Sequence, residues 1–420
     1  MKAKTTRILI TGAHGQLGQA LLANLPWLPE FSPSRLRMEI PEASQVPGSA
    51  VKPRSAIAPG SAIEIVALGH QQLDLTSADL PERLSEINAD VIINCAAYNA
   101  VDAAEQDMAA AMALNAEAPE RLAIWCRQQG AWLIHISSDY VFGNVFGNDL
   151  GSVFGNVSGN AAANMLGNAP RALTESDVCE PLSLYGQSKL AGEQRLLTAN
   201  PVALVLRTSW LYSRFGSNFV LTMRRLLTER PELKVVADQV GTPTWAEALA
   251  RLIWQLLIWF HLKPEKSAVL SGCFHYAATG QCSWYLFTQE IAEQIAKQQC
   301  NSAPSSQAAT PLQTASPSQA TLPSQATLHS QAALANPVPI TPGCRITPVS
   351  TAEYGALLNR AQAPRPAYSA LDSSALKNAM AAMPSAFRCY LPKDYPSPIW
   401  LSWQAQLTLM FSGLSAPSLD

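Results

Sequence analysis

The chain has 420 residues, 48 % of them hydrophobic and only 14 % charged, against a usual charged share of about 25 %. Such a composition can bury a large core, which excludes wholesale disorder. The formal net charge of −2 and an isoelectric point of about 6.3 exclude the broadly basic surface that a nucleic-acid or anionic-membrane partner needs.

Met1-Lys-Ala-Lys mimics the start of a signal peptide, but the apolar run Ile8-Leu9-Ile10 stops at Thr11-Gly12 and is too short for one. Residues 7–11 read as a buried strand and 16–25 as a helix. Residues 29–61 carry Pro29, Pro33, Pro41, Pro47, Pro53 and Pro59, a density that no helix or central strand survives. Strand 63–68, helix 80–87, strand 91–95, helix 109–129 and strand 132–136 follow. Residues 142–168 then repeat a Phe-Gly-Asn-like unit from Phe142, Phe146 and Phe154. Helix 184–197 and strand 202–206 resume the alternation.

The most apolar window, Leu252 to Phe260, is interrupted by Gln255 and falls far below the ~20 residues of a membrane span. Residues 301–343 repeat Ser-Gln-Ala at Ser306, Ser318, Ser324 and Ser330 among prolines. The run Ile399-Trp400-Leu401-x-Trp403 is expected to pack as a closing helix. The eight cysteines show no C-x-x-C pair or metal-ligand spacing and read as small buried apolar residues in a reducing compartment. These features predict a cytoplasmic protein with no membrane segment.

Short apolar runs alternating with helices indicate a parallel sheet covered on both faces, an α/β, doubly wound architecture. The stretches 29–61, 142–168 and 301–343 are low-complexity insertions, which bury too little apolar surface to offset the entropy of ordering them. Without them about 300 residues remain, enough for two domains.

Gly12-Ala-His-Gly15-Gln-Leu-Gly18 directly follows the first strand and opens the first helix. A dinucleotide pyrophosphate needs such a turn without side chains, so that helix N–H groups approach its oxygens. The alternative is a tight turn that binds nothing. Tyr185-Gly-Gln-Ser-Lys189 puts its two ends on one helical face. A nearby ammonium favours the phenolate of a tyrosine whose ordinary pKa is about 10. The alternative is an exposed helix face. Ile136-Ser137-Ser138-Asp139 ends a predicted strand, where ligand crevices of doubly wound sheets lie.

With Ser137-Ser138-Asp139-Tyr140-Val141-Phe142 and Tyr185-x-x-x-Lys189-Leu-Ala-Gly-Glu193, the chain resembles the extended short-chain dehydrogenase/reductase superfamily. Asn94-Cys-Ala-Ala-Tyr-Asn-Ala-Val101-Asp102-x-x-Glu105, Arg207-Thr-Ser-Trp210, Asn218-Phe219, Asp238-Gln-x-Gly241-x-Pro243-Thr244 and Arg365-Pro366 resemble the dTDP-4-dehydrorhamnose reductase family. The resemblance covers nearly everything outside the three insertions. It implies a Rossmann-like doubly wound parallel sheet with a smaller α/β substrate-binding domain. Residues 1–205 and 230–258 would bind the cofactor, and 206–229 and 259–420 the sugar nucleotide.

By the same resemblance, Gly12, Gly15, Gln16, Leu17 and Gly18 serve the cofactor pyrophosphate, Asp74 and Leu75 the adenine, and Ala97, Tyr98 and Asn99 the cofactor's inner half. Tyr185 is the expected proton donor. Lys189 would hold the nicotinamide ribose and tune Tyr185, with Ser138 orienting the phenol. Ser138, Asp139 and Trp210 are expected at the substrate; Asp139 as a strand-end cap and Trp210 as core packing are the alternatives. The implied reaction reduces the C4 carbonyl of dTDP-4-dehydro-L-rhamnose. The other readings are a different sugar-nucleotide reductase, epimerase or dehydratase, or a non-catalytic nucleotide-binding regulatory subunit.

Four departures stand out. Leu68-Gly69-His70 replaces the expected ribose-reading acid, which favours NADPH over NADH because no carboxylate would repel a 2′-phosphate and His70 could bond it. The Phe-Gly-Asn repeat follows directly on Tyr140-Val-Phe142, as an inert expansion or a lid. The Ser-Gln-Ala insert has no family counterpart. Magnesium and a homodimer are implied by the family alone, and no ligand residue for magnesium can be assigned.

Overall fold

The computed structural model describes residues 6–25, 37–38, 63–143, 171–262, 270–302, 344–358, 361–381 and 400–412. Of the expected insertions, 29–61 lies outside them apart from 37–38, 142–168 apart from Phe142 and Gly143, and 301–343 apart from residues 301 and 302.

The strands, in chain order, are β1 (Thr6–Thr11), β2 (Arg37–Met38), β3 (Ile63–Leu68), β4 (Val91–Asn94), β5 (Trp132–Ser138), β6 (Leu204–Thr208), β7 (Leu211–Tyr212), β8 (Glu232–Val236), β9 (Val240–Gly241), β10 (Thr244–Trp245), β11 (Gly272–His275), β12 (Cys282–Ser283) and β13 (Arg345–Val349). Seven form the main sheet in the order β11-β6-β5-β4-β1-β3-β2. Every pairing in it is parallel.

Strand alternation explains why the apolar runs are continuous. Ile8, Ile10, Ile93, Ile134 and Leu206 enter one core with the helices Gln16–Ala23 and Ala246–Leu262. Leu9, Ile92, Leu133 and Val205 point the other way, into a core with Leu84, Leu122 and Leu196 of the helices Leu80–Ile87, Ala118–Gln129 and Leu184–Ala199. A sheet buried on both faces needs apolar residues at both phases of the alternation. From β1 the chain moves to β3 on one side and then returns to β4 on the other. The carboxyl ends of β1 and β4 therefore form the switch point where such sheets bind ligands.

Several expectations change. Residues 109–129 are not one unbroken helix: a π-helical turn, Ala113–Glu117, separates Met108–Met112 from Ala118–Gln129. The closing helix starts only at Trp403, where the Ser402 side chain caps it by accepting from the Ala405 N–H; Trp400 and Leu401 precede it. Within the proline-rich stretch, Arg37–Met38 pairs with β3 as an edge strand, compatible with the exclusion of a central one. β11 was not foreseen, because a four-residue edge strand beginning with glycine has no periodic signal.

Two pairings run across the division expected from the family pattern. β11, from the late chain, closes the main sheet on β6. β8, from the expected return segment, pairs instead with β13. The smaller two-stranded sheets β7–β10 and β9–β12 and the helices Phe219–Glu229, Trp284–Ser302, Thr351–Leu358, Ser374–Ala381 and Trp403–Phe411 complete the second part. Among the described residues, no helix is long and apolar enough to cross a membrane.

Candidate active site

The glycine loop lies at the switch point. Gly12 has φ +63°, and a Cβ there would come within 2.6 Å of the Ala96 N–H nitrogen. Only glycine fits both constraints. A Cβ on Gly18 would meet Ala13 Cα at 2.6 Å, so this glycine lets the helix close onto the loop backbone that follows β1. Gly15 is the N-cap of the helix Gln16–Ala23 and makes no side-chain cap bond, which leaves the first-turn N–H groups for an anion. Gln16 accepts from the Ser213 hydroxyl at 3.3 Å. The Leu17 and Leu75 side chains are buried in the two cores, so each offers a ligand its backbone. Asp74 sits on a loop with Oδ1 accepting from Thr76 N and Oγ1 at 2.9 and 2.7 Å.

Tyr185 opens the helix Leu184–Ala199, whose cap is the Ser183 side chain. Two further residues fix that start. The Leu184 N–H donates to Glu105 Oε1 at 2.8 Å, and a Cβ on Gly186 would strike the Tyr140 carbonyl at 2.2 Å. Tyr140 meets the Tyr185 ring edge-on at 5.4 Å. The buried Glu193 carboxylate accepts from Arg207 Nε and Nη2 at 2.7–3.1 Å, tying the helix to β6.

Burial pushes the Tyr185 phenol above its ordinary range, opposed by a hydrogen bond with Ser138. The phenolate expected next to Lys189 is therefore not favoured here: desolvation dominates, and the phenol holds its proton. Lys189, also buried, donates from Nζ to the Ile136 carbonyl at 2.7 Å; burial lowers its pKa to about 8. Asn99 Oδ1 lies 3.5 Å from the Tyr185 hydroxyl. Ser138 Oγ donates to Asp139 Oδ1 at 3.0 Å and accepts from Tyr140 N at 3.2 Å. The cap of that turn is thus Ser138 rather than Asp139. Burial raises the Asp139 carboxyl to about 6, against the Ser369 and Ser138 hydroxyls.

Asn115 was missed by the sequence reading. Fully buried in the π-turn, it accepts from Tyr98 N (2.8 Å) and donates to Tyr98 O (3.1 Å) and Ser188 Oγ (3.0 Å). It thereby ties the Ala97–Asn99 segment to the tyrosine-bearing helix. Trp210, at φ +45°, lies between Gly241 and Trp284; Trp284 was missed as well.

A cavity of about 280 Å³ adjoins this platform, with Phe219, Trp284, Gln239, Lys234 and Arg365 among its lining residues. Arg365 Nη2 donates to Asp102 Oδ1 at 2.9 Å, joining the late chain to the Val101-Asp102 segment. A larger depression of about 780 Å³, lined by Glu120, Ile124, Arg127 and Arg195 among others, holds none of the motif residues. Among the described residues, no group of three or more His, Cys, Asp or Glu could hold a metal ion.

Residues 54–336 match the family model described as RmlD substrate binding domain. A dTDP-4-dehydrorhamnose reductase of Mycobacterium tuberculosis is 33 % identical over 312 residues, covering 74 % of this chain and 83 % of that protein. One from Escherichia coli is 35 % identical over 237 residues, 55 % of this chain and 70 % of that protein. The Bacillus anthracis dTDP-4-dehydrorhamnose reductase, solved in complex with NADP, superposes with a TM-score of 0.62 at 26 % identity, covering 97 % of this chain and 99 % of that one.

Proposed function

Since the chain belongs to the dTDP-4-dehydrorhamnose reductase family, we propose that it reduces the C4 carbonyl of dTDP-4-dehydro-L-rhamnose, giving dTDP-L-rhamnose. The observation that carries this reading is the convergence of Tyr185, Ser138 and Lys189 at the carboxyl end of β5, beside an uncapped glycine-loop helix. NADPH is the cofactor we assign, supported by the NADP complex of the Bacillus anthracis relative. When bound, it supplies the hydride that C4 receives.

The chain's own residues do the rest. The loop Gly12–Gly18 holds the pyrophosphate on its N–H groups, with Gln16 and Leu17 in the first turn. Asp74 and Leu75 border the adenine, and Ala97, Tyr98 and Asn99 the inner half. Tyr185, kept protonated by burial, gives its proton to the carbonyl oxygen as negative charge develops there. The Ser138 hydroxyl orients the phenol, and its one proton moves from Asp139 Oδ1 to the same oxygen when substrate is bound. The Lys189 ammonium steadies the phenolate that remains, so stabilisation grows towards the transition state.

Asp139 and Trp210 border the sugar. The cavity beside Trp284 combines aromatic faces with Lys234 and Arg365, a match for a nucleoside diphosphate. The reading extends to a homodimer, by family membership, and to the cytoplasm.

The test follows loss of reduced-nicotinamide absorbance with dTDP-4-dehydro-L-rhamnose, for wild type and Tyr185→Phe together. Turnover that vanishes in the variant supports both the reaction and the proton donor. NADPH binding without turnover by wild type would refute the assigned substrate.

A further inference from the structure

The glycine loop carries a side chain that the reaction leaves unassigned. His14 reaches across to the end of β3, where a Cβ on Gly69 would come within 2.4 Å of His14 Nδ1. A residue without a side chain at 69 is what lets the imidazole settle there. Both backbones are pinned: Gln19 Nε2 donates to the His14 carbonyl at 2.7 Å, and the Gly69 N–H donates to Gln72 Oε1 at 2.9 Å. His70 follows at once, its side chain 78 % exposed.

The end of this strand, beside the glycine loop, is where dinucleotide-binding folds read the adenosine ribose, ordinarily with an acidic side chain that bonds the 2′-hydroxyl. No acid occupies 69–73. The nearest carboxylate in sequence, Asp74, has Oδ1 engaged by Thr76 and lies 3.8 Å from His70 Nδ1. Two imidazoles, one of them 3.8 Å from the Asp74 carboxylate, thus stand where the usual acidic reader would. A phosphate offers three acceptor oxygens to such donors, whereas a 2′-hydroxyl offers one.

We infer that His14 and His70 are the specificity-determining pair that selects a cofactor with a 2′-phosphate, so that this chain prefers NADPH to NADH. The inference rests on the reductase reading above, and Gly69 belongs to it as the residue that makes room for His14.

The test is equilibrium binding of NADPH and NADH to the full chain, without sugar nucleotide, read by calorimetry. Wild type is compared with His14→Ala, His70→Ala, the double variant and Gly69→Ala. Wild type should bind NADPH the more tightly. The double variant should lose roughly tenfold or more in NADPH affinity, bringing the two Kd values together, while NADH weakens far less. Gly69→Ala should reproduce the His14→Ala loss. Equal weakening of both cofactors, or unchanged NADPH binding, would overturn the pair while leaving the reductase intact. Failure of wild type to bind either cofactor would overturn the reductase reading and this inference together.

Discussion

Trp210 and Trp284 lie face to face, with ring centroids 3.4 Å apart and planes within 5° of parallel. On its other side the Trp210 indole takes the space of a Cβ on Gly241, which would sit 2.5 Å from Trp210 Cε2. Trp284 is in turn held by Nε1 donating to Gln239 Oε1 at 3.2 Å. A left-handed backbone at a tryptophan is costly, so this sandwich sets where the ring can be. Gly241→Ala should therefore displace Trp210 and raise KM for the sugar nucleotide roughly tenfold, about 1.4 kcal/mol, with NADPH affinity little changed. Steady-state kinetics together with cofactor titration decide it.

Tyr185→Phe should lower kcat by roughly 10²- to 10⁴-fold, the range for losing a positioned acid, with cofactor binding retained. Single-turnover measurements at saturating cofactor check this.

The reduction should also slow as pH rises through about 8, where the buried Lys189 loses its proton. Burial has lowered that pKa from 10.5, so the charge is lost earlier than from an exposed lysine. In Lys189→Met the remaining activity should show no such limb. A kcat profile across the alkaline range reads the difference directly.

Asp139 bears on stability. Its carboxyl is raised from 3.8 to about 6 by burial, so the folded chain holds that proton more tightly than the unfolded one. The contribution is fully present below the lower value and lost as pH rises through the upper, a cost on the order of 3 kcal/mol at neutral pH. Asp139→Asn should consequently melt above wild type at pH 7, with the gap closing as pH falls towards 4. Thermal melts at several pH values test the sign.

Asn115→Ala should leave the Tyr98 amide without its partner, at a cost of about 1–3 kcal/mol. It should lower kcat further than its effect on Tm explains, because the segment it releases adjoins Tyr185. Asn115→Asp, which can still accept from Tyr98 N, should recover part of the loss.

Much of this was legible beforehand. Strand 63–68 and helix 80–87 agree to the residue, because an apolar run bounded by turns and an amphipathic turn starting near Pro81 are local signals. The glycines and Tyr185-x-x-x-Lys189 were legible because their spacing is itself the chemistry. Asn115 was hidden inside a helical pattern, since a π-turn leaves the apolar periodicity nearly intact. Trp284 reads in sequence as one more core aromatic; only the fold sets it against Trp210. The rise in the Tyr185 pKa was equally invisible, because it follows from burial by distant segments.

The exchange of strands between the two parts has a consequence for how the molecule is made and taken apart. The main sheet is not closed until His275 has paired with Arg207, and Trp403, Leu407 and Phe411 enter the same core as Ile8 and Leu21. A cofactor-binding half expressed alone would lack a sheet edge and part of its interior, so the chain must be made through Phe411 before either half is finished. Conversely, one cut between 303 and 343 would leave two polypeptides joined through β8 and β13 and through the Trp245 N–H bond to Gln406. They would travel as one particle in a native column and separate only in denaturant.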